Sequence, residues 1–173
     1  MFTINDQSTS LAEKLHAELK LVSVKCCARF TGTSVAVCSS LDDIPYYPMN
    51  AGWPVDNISS LHDSLLSLGD EASPYHDGFH LLSTQLKFTH VSCFMAPQIQ
   101  PGAPKIPFAG RGSRFATAYF TSLIPNVVCV GIVSSKYQVT VFKQGAIFQV
   151  CDQANIPSLS SCSRTGLTMG FMS

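Results

Sequence analysis

The fold of this chain is decided by the stretch Ser73-Pro74-Tyr75-His76-Asp77-Gly78-Phe79-His80-Leu81-Leu82. A proline turn here delivers a histidine, a carboxylate and a glycine to the entrance of a short apolar strand, predicted over Phe79 to Ser83. An Asp-Gly pair at a strand entrance lets backbone and carboxylate approach a ligand closely, although ordinary turns use the same pair. The neighbouring segments therefore decide whether His76, Asp77 and Gly78 form a site.

Composition indicates one folded domain and excludes several classes of protein. The 173 residues are 46% hydrophobic and only 13% charged, which is enough for one real core and argues against disorder. Lysine plus arginine and aspartate plus glutamate number 11 each, so a broad nucleic-acid-binding face is not expected. Because no apolar run is long enough to span a bilayer, we expect no membrane partner.

The cysteines and the first residues predict a cytoplasmic protein. The seven cysteines are irregularly spaced without a CxxC pair, and Cys38 and Cys129 lie inside apolar runs. In such runs cysteine behaves as a small hydrophobic residue, so we expect reduced thiols. The first ten residues lack the charged and apolar regions of a signal peptide.

Three helices are predicted from caps and spacing. A capping box at Ser10 opens the first, whose apolar face continues to Phe30 before Gly32 ends the element. A strand beginning near Leu21 is a rival interpretation, because β-branched residues follow it. The second helix begins after Ser60 and ends at Gly69, and the third covers residues 113–123.

The remaining apolar runs predict a mixed sheet. The expected strands are Ser34–Cys38, Phe79–Ser83, Phe88–Phe94, Val127–Ser134, Tyr137–Lys143 and Ala146–Val150, with a hairpin between the second and third. Residues 42–57 are expected to form an ordered loop with Trp53 as a lid or anchor. The fold class is therefore α/β (α+β), a single domain over residues 1–150 with a central mixed β-sheet flanked by helices. An irregular C-terminal tail follows over residues 151–173.

A second loop carries anion-binding chemistry. Gly110-Arg111-Gly112-Ser113-Arg114 leads directly into the third helix. Glycines let the backbone approach a ligand, the positive end of the helix favours an anion, and arginines can hold phosphate oxygens. Ser113 also suits the simpler role of N-cap of that helix.

Taken in order, four segments make the chain resemble the diadenylate cyclase domain, which joins two ATP molecules into cyclic di-AMP. The family's Gly-Ala-Leu-Ile-Val-type strand is matched by residues 32–37, its His-Asp-Gly-Ala motif by His76 to Phe79, and its Gly-Thr-Arg-His-Arg-Ala-Ala segment by residues 112–118. Its closing Val-Ser-Glu-Glu strand and hairpin are matched from Val133 onward. The resemblance covers Leu11 to Val150 and implies a nucleotide site at His76, Asp77, Gly78, Phe79, Arg111, Gly112, Ser113, Arg114 and Phe115.

The departures from the family pattern concern charge. In the family the aspartate acts with a metal ion on the attacking ribose hydroxyl, so the resemblance implies that Asp77 is catalytic and binds Mg²⁺ or Mn²⁺ if the chain is active. The family's histidine and second arginine, which hold the triphosphate, align with Phe115 and Ala116, and its acidic pair aligns with Ser135 and Lys136. Phe115 either stacks on a base or fills the hole.

The resemblance therefore implies a catalytically degenerate sensor of a nucleotide or nucleotide-derived ligand. One alternative is an active nucleotidyltransferase that makes cyclic di-AMP or a related dinucleotide from ATP, with Arg111, Lys105 or Lys136 replacing the missing groups. A scaffold that binds no nucleotide is the other. A homodimer is expected if catalysis persists, since family enzymes hold one ATP on each of two facing domains.

The histidines outside the motif are weaker candidates. His62 is expected at the surface or in a cap, and His90 in a structural role. His80 lies on the strand face of Gly78, so it either reaches the pocket or is a buried histidine. A zinc site at His76, Asp77 and His80 is disfavoured, because no cysteine has suitable spacing.

Overall fold

A computed structural model describes residues 4–52, 59–100, 102, 108 and 110–149 of the chain. They form a single α/β domain in which a seven-stranded mixed sheet carries three helices, so the predicted fold class is confirmed. The helices are α1 (Ile4–Lys25), α2 (Leu61–Leu68) and α3 (Gly112–Thr121). The strands are β1 (Thr33–Cys38), β2 (Tyr46–Pro48), β3 (Phe79–Leu82), β4 (Phe88–Met95), β5 (Val127–Val133), β6 (Val139–Lys143) and β7 (Ala146–Ile147).

The order of the strands brings distant parts of the chain to one edge. The sheet runs β2-β4-β3-β1-β5-β6-β7, with β1 parallel to β3 and the other neighbours antiparallel. Val35 lies opposite His80, and Thr33 lies opposite Val133. The amino ends of β1 and β3 and the carboxyl end of β5 therefore meet at the same end of the sheet.

Helices cover both faces of the central strands. On one face α1 and α2 bury Leu15, Leu19, Val22 and Leu65 against the sheet, while α3 packs Phe115, Ala118 and Tyr119 on the other. Every residue of β1 is buried as a result, which explains its unbroken run of small and apolar side chains. The core on the α3 side of the sheet also contains Cys38 and Cys93, and the core on the α1 side contains Cys129.

The buried thiols behave as the apolar runs predicted. Burial raises the pKa of Cys38 and Cys129 to about 12 each and that of Cys93 to about 11. All three are free and neutral, and they pack as small hydrophobic residues.

The first helix differs from its prediction at both ends. It begins at Ile4, before Ser10, and ends at Lys25, so Phe30 lies beyond it. The rival strand near Leu21 is wrong. Leu15, Leu19 and Val22 are fully buried at helical spacing, and this packing outweighs the weak helix propensity of the β-branched residues.

The predicted caps are right in one helix and wrong in another. The Ser60 side chain accepts a hydrogen bond from the Asp63 amide and Gly69 is the C-cap of α2, as expected. In α3 the prediction of Ser113 as N-cap is wrong, because the helix starts at Gly112 and Arg111 occupies the cap position without a side-chain bond. Ser113 lies in the first turn and is exposed.

The sheet has one strand more than predicted, and several of the predicted strands are shorter in the structure. The β3–β4 hairpin is confirmed, and Gln144-Gly145 is the turn before β7, which ends at Ile147 rather than Val150. β2 lies within the expected loop over residues 42–57. Trp53, Lys105 and the tail 151–173 lie outside the described residues. Within the described ranges, no helix is both long and apolar enough to cross a membrane.

Candidate functional site

Two loops that are distant in sequence meet at the amino ends of β1 and β3. Asp77 lies just before β3. Arg114 belongs to the first turn of α3, and its side chain reaches the amino end of β1, at the same end of the sheet. Arg114 Nη1 donates a hydrogen bond to the Thr31 carbonyl at 3.2 Å, immediately before β1. Burial lowers the pKa of the Arg114 guanidinium, and the negative charge of Asp77 opposes that shift. The predicted loops thus share one electrostatic environment.

Arg114 uses little of its hydrogen-bonding capacity on the described residues. A guanidinium has five N–H donors, and in the described part of the chain the Thr31 carbonyl is the acceptor that the structure gives it. The side chain is only partly exposed. A partly buried cation binds an anionic group favourably, because its remaining N–H groups can donate charge-assisted hydrogen bonds to that group.

Two glycines allow the backbone to pack tightly around this arrangement. Gly78 has φ +84°, and a Cβ there would lie 2.6 Å from both the Cys93 carbonyl oxygen and Met49 Cε. Gly32 has φ +106°, and a Cβ there would overlap Arg114 Nη1 and lie 2.8 Å from the Val133 carbonyl oxygen. A side chain at position 32 or 78 would therefore collide with these neighbouring atoms and strain the backbone.

His76 and Asp77 are held at the surface beside Arg114. His76 Nδ1 lies 2.7 Å from the Ser73 carbonyl oxygen, which can only accept, so this nitrogen carries the proton. Its other nitrogen, Nε2, lies 3.7 Å from Asp77 Oδ2. The Asp77 side chain is 75% exposed, and its carboxylate is therefore accessible to a ligand.

Phe79 and Phe115, by contrast, have buried side chains. Phe79 is 5% exposed and Phe115 is 4% exposed. The Phe115 ring packs edge-on against Phe142, with centroids 4.9 Å apart, so it fills the core rather than presenting a face to a base. The guanidinium carbon of Arg111 lies 4.9 Å from the centre of the same ring, which places an exposed cation beside the start of α3.

The three other candidate histidines are held by protein contacts. His80 is fully buried and its Nδ1 accepts a hydrogen bond from the Ser92 amide at 3.2 Å, so it is a buried histidine. His62 joins two helices, since its Nδ1 lies 2.9 Å from Glu18 Oε2 on α1. His90 packs against Tyr46, with ring centroids 5.0 Å apart.

The described residues do not by themselves form a complete protein metal site. Asp77 is a single, mostly exposed carboxylate, and the described residues contain no group of three or more histidine, cysteine, aspartate or glutamate side chains placed to hold an ion. The turn after β5 borders the site, because the Ser134 carbonyl carbon would lie 3.4 Å from a Cβ on Gly32. That turn carries Ser135 and Lys136, both exposed, so it adds a positive charge rather than a metal ligand.

Sequence reasoning missed two parts of this region. Thr31 and Gly32 contact Arg114, but both lie more than 80 positions from it in the sequence, so the contact leaves no local signal. Tyr47 on β2 and Phe94 on β4 lie opposite each other and are 71% and 59% exposed. The two exposed rings lie side by side on the edge strand β2 and its neighbour β4, and the sequence does not reveal this because β2 was not predicted.

Comparisons with known proteins bear on the fold. No family model matches the chain, and no curated protein matches it by sequence. Among solved structures it is similar to a double mutant of DacA, a diadenylate cyclase, from Staphylococcus aureus. The TM-score is 0.54 at 17% identity, over 80% of this chain and 85% of that one. The two chains share a fold.

A second solved structure has the same relationship to the chain. It is a hypothetical membrane spanning protein from Bacillus cereus, with a TM-score of 0.53 at 15% identity. The match covers 78% of this chain and 60% of that one. The diadenylate-cyclase-like architecture expected from the ordered motifs is therefore present, at the level of the fold.

Proposed function

We propose that this chain is a catalytically degenerate, diadenylate-cyclase-like domain that binds a nucleotide or nucleotide-derived ligand without joining two of them. The observation that carries the proposal is Arg114. It is a partly buried guanidinium to which the described residues give one hydrogen-bond acceptor, and it interacts electrostatically with Asp77 at the same end of the sheet. The similarity in fold to DacA makes a nucleotide the ligand that this charge would take.

Binding is supported by the chemistry around Arg114. The guanidinium lies at the start of α3, where the first backbone amides have no helical partner and the helix dipole is positive. Arg111 is exposed at the same helix end and can add a second fork to a phosphate. We propose that His76, Asp77, Gly78, Gly112 and Ser113 complete the site around the sugar and phosphate.

The exposed aromatic pair supports a nucleotide over a simple phosphate. Phe79 lies opposite Cys93 on β4, so Phe94 is close to the strand entrance that carries Asp77. The rings of Tyr47 and Phe94 offer an exposed apolar surface beside that entrance. Stacking of a base on an aromatic ring contributes about 1–3 kcal/mol, and we assign the base to this surface.

Loss of turnover is supported by missing charge. Phosphoryl transfer depends on positive groups and metal ions that stabilise the charge of the transition state. Phe115 and Ala116 supply neither, and the Phe115 ring is buried against Phe142 in the core. The described residues place no group of three or more metal-binding side chains around Asp77, so we propose binding without Mg²⁺ or Mn²⁺.

An active nucleotidyltransferase is the second candidate, favoured by the exposed cations around the site. Arg111 lies over the Phe115 ring, and Lys136 lies on the turn that borders Gly32. Both could move onto a triphosphate and replace the missing groups. In that case two copies would have to face each other, because each would supply one ATP.

One experiment separates these functions. The protein is incubated with ATP and Mg²⁺ or Mn²⁺, cyclic dinucleotide is sought, and the melting temperature is measured with a panel of nucleotides. We expect a thermal shift without product, since a ligand at 100 times its Kd stabilises a fold by about 2.7 kcal/mol. Arg114→Ala should weaken binding and reduce the shift measurably. Lys87→Ala, which removes an exposed cation in the turn at the other end of β3, should preserve it.

The other outcomes each select an alternative. Formation of a cyclic dinucleotide that disappears in Asp77→Asn would establish the nucleotidyltransferase and end the sensor proposal. If neither product nor a thermal shift with any nucleotide is observed, the remaining alternative is a scaffold that binds no nucleotide.

A further inference from the structure

We propose that Gly32 is a positioning residue of the ligand site, which keeps open the space where the Arg114 guanidinium lies against the Thr31 carbonyl. This inference rests on the proposed function, in which Arg114 contacts the ligand. Gly32 itself touches no ligand, and its effect is exerted through Arg114.

The packing around Gly32 carries the inference. A Cβ at this position would overlap Arg114 Nη1, the nitrogen that donates to the Thr31 carbonyl at 3.2 Å. It would also lie 2.8 Å from the Val133 carbonyl oxygen, which belongs to the neighbouring strand and cannot move independently. The guanidinium is the movable partner, so a side chain at residue 32 would displace Arg114.

The backbone conformation of Gly32 serves the same end. Its φ of +106° is accessible to glycine and strained for other residues. This conformation precedes β1 directly and turns the Thr31 carbonyl toward Arg114. One hydrogen bond to a rigid backbone acceptor fixes the end of a long side chain and leaves its other donors available.

Fixing Arg114 in advance should strengthen binding. An arginine side chain loses much rotamer freedom when it contacts a ligand, and a site that has already ordered it avoids that loss during binding. The Thr31–Gly32 segment therefore holds the guanidinium in one position before a ligand binds. The carboxylate of Asp77 acts on the same group electrostatically from the neighbouring loop.

The test is a double-mutant cycle on the Kd of the nucleotide that gives the largest thermal shift. Gly32→Ala should raise the Kd about tenfold or more, as expected for lost hydrogen bonds to a charged group. In the Arg114→Ala background the same change should have little further effect on the Kd. Additive losses, or a Kd for Gly32→Ala equal to that of the wild type, would overturn the proposal.

A matched control separates positioning from instability. Gly131→Ala introduces a Cβ that would collide with the Leu19 side chain in the core, away from Arg114. It should lower the melting temperature and leave the Kd unchanged. Gly32→Ala should lose less stability when Arg114 is also alanine, because the overlap with the guanidinium is then absent. An equal loss in both backgrounds contradicts the proposal.

A second readout needs no ligand. Phenylglyoxal labelling followed by mass spectrometry reports how accessible each arginine is. Arg114 should react faster in Gly32→Ala than in the wild type, while exposed Arg111 keeps its rate and serves as an internal reference. Unchanged labelling of Arg114 would refute the positioning role. Faster labelling without any nucleotide binding would instead refute the proposed function alone.

Discussion

His80 should make the stability of this domain fall between neutral and mildly acidic pH. The imidazole is fully buried in β3, where its Nδ1 accepts from the Ser92 amide. Its Nε2 has no hydrogen-bond partner among the described residues. Burial, and secondarily the charge of Arg114, lowers the pKa of His80 from 6.5 to about 4. The folded protein therefore holds this histidine neutral.

The sign and size of the effect follow from that difference. As pH falls below 6.5, the unfolded chain takes up a proton that the folded chain refuses until about pH 4. The free energy of unfolding should therefore decrease across this window, by about 3 kcal/mol in total. Above pH 7 both states carry a neutral His80, and the contribution is absent.

The assay compares urea unfolding of the wild type and His80→Asn at pH values between about 4 and 7. Asparagine places an acceptor oxygen where Nδ1 lies, so the Ser92 amide can keep its partner without a titrating group. The variant should be less stable at neutral pH, because a smaller side chain leaves a cavity. The difference in free energy of unfolding should shrink or reverse as pH falls, because only the wild type carries the titrating His80. The acidic residues contribute equally to both proteins, so their effects cancel in the comparison.

A constant difference in the free energy of unfolding across the pH range would refute the reasoning. It would mean that His80 is protonated equally in both states, through water access or an acceptor for Nε2. Adding Arg114→Ala provides a further check. Removing that charge should raise the pKa of His80 slightly and narrow the window.

Three further predictions concern other parts of the domain. Phe115→Ala should cost about 3–5 kcal/mol in urea unfolding, because it empties the aromatic core around Phe142; a loss below 1 kcal/mol would mean the ring is not structural. Ser60→Ala should cost about 1 kcal/mol by removing the cap on the Asp63 amide, and an unchanged denaturation midpoint would argue against that cap. Nucleotide-induced thermal shifts should persist in EDTA, whereas their loss would reveal a metal that Asp77 helps to bind.

Local sequence patterns predict an element correctly where that element is stabilised by its own residues. The cap at Ser60 and the stop at Gly69 mark the ends of α2 in the sequence, and the apolar run of β1 predicts a strand buried on both faces. The start of α3 was misplaced by one residue, because Ser113 has the chemistry of a cap while Gly112 begins the helix.

Tertiary contacts decide the features that local patterns missed. β2 is a strand only because Tyr46 to Pro48 pair with β4, and its short, proline-ending sequence has no strand signal of its own. The contact between Arg114 and Thr31 joins segments from opposite halves of the chain. The sequence motifs could indicate that the two loops were functional, but not which backbone atom would hold the arginine.

The position of β1 in the sheet has a consequence for folding. β1 forms near the start of the chain, yet its partner β5 is Val127–Val133, close to the end of the described residues. During synthesis, one side of β1 therefore stays unpaired until nearly the whole domain has been made. Such non-local pairing slows folding and exposes apolar strand edges meanwhile. Ribosome-bound chains that stop before Val127 should consequently depend on chaperones, although they already contain Asp77 and Arg114.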